Sequence, residues 1–478
     1  MKKTGQPDRK NINRWGAYAP TRKVIIMKLN ELFKVTKNME KIKITKPKSA
    51  VADICNALLK LKILLFSNLI PLMNMGSYKM RITEDIAVSL IRSLLTDSDS
   101  LELSDNTLKD VIERLSYLPQ LQVDLDKGFR DGQLYVNVGN GVYSIMERQL
   151  VELEANIDFD YTSKIDYKPG AKLDDAPHFK RFVEMSVGKE NYNCLMRVLG
   201  YCISSLTKGR KAFVFLGKGK TGKSTLLNVL QSIFDPDLVS HQPFHVMGSE
   251  KSRWHYAGKR INISRDNSST PMRDEEGFKS LVSCEETVGR EVYKEYINYT
   301  PTAKFIFASN WPLCFAHPDD AVIDRLVVIR FTREIPKDQL DPELEEKLKS
   351  EADVIFSLAL DTLKDLVDSN YDFCMSKDSE EYLHQQRVQI HSALNYLEEE
   401  TVLNANGSVS SEMLFAGYNE YCRLNAITPL GRNTFLQQVK DYSRDISYTK
   451  VYWNGKRVNG FKGIRFASSN DQEEQNDK

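Results

Sequence analysis

Apolar positions recur at two different periods along this chain, and the switches between them mark its elements. Helical spacing runs over Ile82 to Leu95 and again over Asn106 to Leu118, with Ser104 placed to cap the second helix ahead of Leu108 and Val111. Gln133 to Ile145 alternates apolar and polar residues around Gly139-Asn140-Gly141, which predicts a hairpin. Helical spacing returns over His178 to Thr207. It delivers the chain to Ala212-Phe213-Val214-Phe215-Leu216, the unbroken apolar run of a strand covered on both faces. Up to about Ile335, strand-like runs at Arg260 to Ser264, Lys304 to Ala308 and Leu326 to Phe331 alternate with helical or loop segments. That alternation predicts an α/β domain with a central sheet.

Pro342 to Ser350 and Ala352 to Val367 read as helices. Between about Ile390 and Ala467 three more helical stretches follow, His391 to Leu403, Ser411 to Leu424 and Arg432 to Ser443. Tyr448 to Trp453, Asn454-Gly455-Lys456-Arg457 and Gly463 to Phe466 then read as a hairpin. Three helices and a terminal hairpin are the parts of a winged helix-turn-helix. The expected division is a basic region 1–80 with no assigned fold, a mainly helical domain 81–207, the α/β domain 208–340, a helical connection 341–385, a winged-helix-like module 386–467 and a polar disordered tail 468–478.

Net charge changes little in this picture: 66 Lys and Arg against 65 Asp and Glu identify no polyanionic partner. Locally the first fifty residues hold fourteen basic side chains against Asp8, Glu31 and Glu40, either a solvated arm or one that binds nucleic acid. Seven scattered cysteines, with no C-x-x-C pair, fit a reducing cytoplasm and no structural metal. The most apolar stretch, Leu58 to Met75, is interrupted by Lys60, Lys62, Asn68, Pro71 and Asn74, so no membrane span is expected, and the early residues are basic without the apolar core and small-residue cleavage site of a signal peptide.

The chemistry concentrates in the α/β domain. Gly217-Lys218-Gly219-Lys220-Thr221-Gly222-Lys223-Ser224 satisfies G-x-x-x-x-G-K-[ST], entered by an apolar strand and left by a helix, Ser224 to Phe234, whose first turn includes Thr225. Such a loop wraps backbone N–H groups around phosphates. Lys223 is expected to reach the β- and γ-phosphates of ATP, and the Ser224 hydroxyl to ligate Mg2+. A metal-facing carboxylate belongs at the end of a neighbouring strand, and Asp266 follows Arg260 to Ser264. Asn310 ends the strand Lys304 to Ser309, placed to orient the attacking water. Arg325, between Asp319-Asp320 and the next strand, is placed as an arginine finger.

In this order and spacing the four elements resemble the superfamily 3 helicases, and more closely the ATPase part of the phage and plasmid primase–helicase family that includes the poxvirus primase–helicase. Tyr256 to Ser264 is similar to that family's Walker B approach, and Thr300 to Asn310 to its motif C. Phe278 to Ser283, continuing through Arg290 and Tyr293, looks like the region whose hairpin grips single-stranded DNA in the central channel; the resemblance makes Arg290 and Lys294 the DNA contacts. Upstream, Asn140 to Tyr143, Tyr167 to Ala171 and Leu199 to Tyr201 look like the helical domain preceding the ATPase. Many relatives carry paired carboxylates, or a Glu, where this chain has Arg265-Asp266-Asn267, which leaves Glu275 and Glu276 as further candidates for the base. The resemblance implies an AAA+-like P-loop NTPase forming a homo-hexameric ring, translocating on single-stranded DNA in replication of a phage, plasmid or integrated element. Primase activity is not expected, since the first 130 residues are short for a complete primase domain and no convincing D-x-D with a following catalytic His is found.

In the C-terminal module, Arg432, Asn433, Thr434, Gln437, Gln438 and Lys440 on one helix, with Lys450, Lys456, Arg457 and Lys462 on the hairpin, are either a solvated surface or a face for duplex DNA at an origin. Two further functions stay open: an origin-binding initiator using ATP as an assembly switch, and a P-loop ATPase of a defence or packaging system.

Overall fold

The computed structural model describes residues 30–467 except 31, 33, 68, 126–133, 153–156, 266, 268, 291–296, 317, 337 and 339. The basic arm before residue 30, Asp266, Lys294 and the tail from 468 therefore lie outside the described residues. The chain divides into two compact units, residues 1–317 with 324–376, and 318–323 with 377–478.

The first unit has two apolar cores. One runs from Leu32 to Leu125 and holds helix α1 (Ala50–Leu61), a small antiparallel sheet of β1 (Leu64–Ser67), β2 (Ile70–Asn74) and β3 (Lys79–Arg81), and helices α2 (Glu84–Leu94) and α3 (Asp105–Leu115). The expected break at residue 80 falls inside this core. The interrupted apolar run Leu58 to Met75 is the end of α1 followed by a hairpin, in which Leu64, Phe66, Leu72 and Met73 are fully buried. Caps fall where the polar residues announce them: the Thr83 and Ser104 hydroxyls accept from the N–H groups of Ile86 and Thr107 at 3.3 and 3.2 Å.

The second core extends from Val136 to Phe373. It begins with a meander of β4 (Tyr135–Val138), β5 (Gly141–Ser144) and β6 (Gln149–Val151), whose β4–β5 turn is the expected one. The stretch expected as continuous helix from His178 is broken: Pro177–Phe182 runs into a π-helical turn, Val183–Val187, and stops at Gly188, whose φ of +84° is left-handed. Helix α4 (Tyr192–Ile203) then leads to the main sheet. That sheet comprises β7 (Ala212–Leu216), β8 (Val239–Ser240), β9 (Ile261–Ser264), β12 (Lys304–Ser309) and β13 (Leu326–Arg330), all parallel, in the order β13-β7-β12-β9-β8. Nearly every residue of these strands is buried, as expected of a parallel sheet with both faces covered. Helix α5 (Lys223–Ser232) follows β7, and α6 (Glu275–Val282) precedes a two-stranded hairpin of β10 (Thr287–Gly289) and β11 (Ile297–Tyr299). Helix α7 (Ala352–Asp361) packs on α4, where Gly200 allows the close approach: a Cβ there would sit 2.4 Å from the Ala359 carbonyl oxygen.

The second unit holds α8 (Lys377–Glu400), β14 (Thr401–Ser410), α9 (Ser411–Leu424), α10 (Arg432–Tyr442) and a hairpin of β15 (Ser447–Trp453) and β16 (Lys456–Phe466), with β16 central in its sheet. The expected boundary at 385/386 lies within the continuous helix α8. The stretch from Thr401, expected partly as helix and partly as loop, pairs with β16 as β14, with an irregularity between Asn404 and Ser408. Among the described residues no helix is long and apolar enough to cross a membrane.

Candidate active site

Strand order places the candidate residues. The chain leaves β7 toward β8 at one edge of the sheet, and later leaves β12 toward β13 at the other. The order therefore reverses between β7 and β12, and a crevice at the carboxyl ends of strands is where such sheets bind ligands. Register brings the expected elements to that crevice. Leu216, the last residue of β7, is level with Ser309 of β12, and the Gly217 N–H donates to the Ser309 carbonyl at 3.1 Å. Asn310 follows and is exposed. Ser264 ends β9 beside Phe307, so the segment leading to position 266 emerges at the same sheet edge.

The loop Gly217 to Gly222 is shaped by close approach at two of its glycines. A Cβ on Gly217 would lie 2.1 Å from the Phe331 carbonyl oxygen, and one on Gly222 would lie 2.5 Å from the Phe182 ring; at Gly219 nothing lies within 4 Å. Gly222 is left-handed at φ +83°, as is Lys220 at +61°. Lys223 is almost fully buried, and its ammonium donates to the carbonyls of Gly217 and Lys218, both at 2.6 Å, and to the Thr221 hydroxyl at 3.1 Å. Among the described residues no side chain caps the N-terminus of α5, which starts at Lys223, and Ser224 is exposed on its first turn. An uncapped helix start behind a glycine loop, with a lysine and a hydroxyl beside it, fits a nucleotide's phosphate groups and their divalent cation.

Residues far away in sequence complete the surroundings. The Ser186 hydroxyl, on the π-helical turn, donates to the Thr221 carbonyl, and the Ile335 N–H donates to the Lys220 carbonyl at 3.1 Å. Between them opens a cleft of about 190 Å3, which touches the loop at Lys220, Gly222 and Thr225. Its walls include Phe182, Met185, Ile335 and Leu344, with His178, Arg181 and Asp341 as polar groups. The helix that supplies His178 and Phe182 is anchored by Glu351, whose carboxylate accepts from the N–H groups of both His178 and Phe179, at 3.0 and 2.8 Å. Sequence reasoning missed this cleft because its walls come from two segments, 178–185 and 335–344, that carry no motif.

Asn267 was also missed. Fully engaged, its side chain accepts from the Phe244 N–H at 2.8 Å and the Ser264 hydroxyl at 2.9 Å and donates to the Ala308 carbonyl at 2.9 Å, which fixes the end of β9 against β12. Of the alternative carboxylates, Glu275 is buried at the start of α6, whereas Glu276 is exposed and pairs with Lys279 at 3.4 Å.

Arg325 stands apart from this crevice. Its carbonyl accepts from the N–H of Ala212, the first residue of β7, so it sits at the amino edge of the sheet. One five-residue strand, roughly 16 Å, separates that edge from the loop. The guanidinium meets the Ser283 hydroxyl through Nε and Nη2 at 3.2 and 3.1 Å. Arg290 is exposed where the β10–β11 hairpin leaves its last paired residue, Gly289. In the second unit Arg432, Lys440, Lys456 and Arg457 are all exposed, the first two on α10 and the others on β16.

A family model described as a family of unknown function (DUF5906) matches residues 215–325, from the end of β7 to Arg325. No curated protein matches the chain. Solved structures similar to it include two apo structures of the NrS-1 C-terminal region, with TM-scores of 0.48 and 0.44; in each, 12% of residues are identical and 86% of this chain and 98% of that chain are covered. Likeness at this level assigns neither an activity nor a ligand.

Proposed function

We propose that this protein is an ATP-hydrolysing motor that moves on single-stranded DNA as a ring of identical subunits, in replication of a phage, plasmid or integrated element. The observation that carries the proposal is the meeting of the glycine loop, Asn310 and the end of β9 at one sheet edge, while Arg325 stands at the other.

In this reading Gly217 to Thr225 hold the triphosphate through backbone N–H groups and the start of α5, and Lys223 supplies positive charge at the β- and γ-phosphates. Ser224 and Asp266 hold Mg2+, which neutralises charge building on the phosphates. Asn310 orients the attacking water. The nucleobase lies in the cleft lined by Phe182 and Met185, whose apolar walls set with polar groups suit a small molecule. Arg325 stands about one strand length from the loop of its own chain, so in this reading it acts on the neighbour's, which requires abutting subunits. Arg290, which follows β10, and Lys294 contact DNA phosphates in this reading.

The test is displacement of a labelled strand from forked DNA, with and without ATP, beside Lys223→Ala. Displacement by the wild type alone supports the motor. ATP hydrolysis stimulated by DNA without displacement replaces it with an initiator that uses ATP as an assembly switch, and hydrolysis undiminished in Lys223→Ala removes the nucleotide assignment.

A further inference from the structure

The β15–β16 hairpin carries a row of side chains that runs outward from the apolar core of the second unit to exposed positions. Alternation along β15 puts Tyr448, Lys450 and Tyr452 on one face, and the ladder sets Phe461, Asn459 and Arg457 opposite them in turn. The inner end of the row is anchored: Phe461 is fully buried, its ring centroid lies 5.0 Å from that of Tyr448, and the Lys440 ammonium of α10 stands 5.0 Å from the Tyr448 ring. Outward from there the side chains are exposed, Tyr448 at 42% and Tyr452 at 75%, with Lys450 between them and Arg457 across from Tyr452. On the other face of β15, Val451 is buried and Trp453 is half-buried. Charge on this stretch is one-sided. From Lys440 to Phe466 there are seven basic residues against Asp441 and Asp445, in a chain whose total charge nearly cancels.

We infer that this face is a stacking platform for single-stranded DNA, with bases lying on the rings of Tyr452 and Tyr448 and phosphates held by Lys450 and Arg457. Exposed rings alternating with cations suit a strand whose bases are unstacked and free to present their faces. In a duplex those faces are covered, and recognition would need donors and acceptors aimed at groove edges. On the neighbouring α10 the Gln437 amide is already paired with both oxygens of Asp441 at 3.1 Å, and that exposed carboxylate repels phosphates. Tyr448 and Tyr452 lie four residues apart on one strand, roughly 13 Å, and Lys450 projects between them. The inference rests on the second unit alone and stands whether or not the first unit is a motor.

The test uses the full chain and an oligo(dT) strand carrying 5-iododeoxyuridine, irradiated at long wavelength, with crosslinked peptides mapped by mass spectrometry. Crosslinks are expected at Tyr452 or Tyr448. Tyr448→Ala with Tyr452→Ala should lower their yield at least tenfold, in line with the fivefold to hundredfold that about one stacked base contributes to affinity. Tyr448→Phe with Tyr452→Phe keeps the rings and should keep the yield. Unlabelled single strand should compete, and a blunt duplex of equal length should not. Absence of crosslinks from residues 447–459, or equal competition by the duplex, overturns the proposal. A crosslink confined to residues 290–296 likewise overturns it, while supporting DNA contact by the first unit.

Discussion

At the scale of single residues the three loop glycines are not equivalent. Gly217 lies against a backbone carbonyl that cannot swing aside, and Gly222 combines a left-handed φ with contact to the Phe182 ring, whereas Gly219 faces open space. Gly217→Ala and Gly222→Ala should each cost about 1–3 kcal/mol through overpacking and strain. Gly219→Ala should stay within about 0.5 kcal/mol of the wild type. Thermal denaturation of the three variants checks the order, and a Gly219→Ala protein as unstable as the other two would contradict it. Lys304 offers a second test. It is buried at the start of β12, 5.0 Å from the Tyr201 ring, and burial, with the nearby Arg260 charge, holds its pKa down at about 8. Between about pH 8 and the ordinary lysine pKa of about 10.4 the unfolded chain keeps a proton that the folded chain has released, so stability rises with pH through that window. Below it both states are charged and the fold bears the full penalty, on the order of 3 kcal/mol. Lys304→Met should therefore be more stable than the wild type at pH 7 and should lose the rise, as urea denaturation between pH 7 and 10 would show.

At the scale of elements, legibility followed burial. The strands of the main sheet are covered on both faces, so their apolar runs at 212–216, 304–309 and 326–330 are continuous, and the sequence predicts them to within a residue or two. β14 was missed because only four of its ten residues are buried and its register is irregular, so neither alternation nor an apolar run marks it. The core from Leu32 to Leu125 was read only in its helical second half, since its small sheet is built from a stretch broken by lysines and a proline. The glycine loop is contiguous in sequence and was fully legible, whereas the cleft beside it depends on which distant segments the sheet brings together. Strand direction also decides what Arg325 can do. If it serves the adjoining subunit, a chain with Lys223→Ala still offers a competent arginine, and a chain with Arg325→Ala still offers a competent loop. Each variant alone should lose about 10³-fold or more in hydrolysis. An equal mixture should recover roughly a quarter of the wild-type rate if subunits assort at random around a ring. Steady-state ATP hydrolysis of the mixture settles it: no recovery, with the variants shown to co-assemble, would place the action of Arg325 within its own chain.

At the scale of the whole molecule, the division into units does not follow the order of the chain. Residues 318–323 fall with the second unit, although the first unit continues on both sides of them. Within the second unit the short helix Asp320–Ile323 meets α8, and His391 Nε2 lies 3.0 Å from each oxygen of the Asp320 carboxylate. This helix ends two residues before Arg325. A chain ending at residue 376 would keep the sheet and both cores of the first unit but would leave Pro318–Ile323 without α8. Binding of a non-hydrolysable ATP analogue should then stay near the wild-type level, because the glycine loop and its cleft lie wholly in the first unit. Hydrolysis should fall toward the rate of Arg325→Ala, since an arginine that must reach a neighbour's phosphates depends on its approach segment being fixed. In the full chain His391→Ala removes only one contact between α8 and that segment and should lower the rate in the same direction by less than about tenfold. Measuring kcat and analogue affinity for both proteins separates the cases. A truncated chain that hydrolyses ATP at the wild-type rate would mean that residues 318–323 hold their place without α8, and loss of analogue binding along with hydrolysis would mean that the first unit needs the second in order to fold.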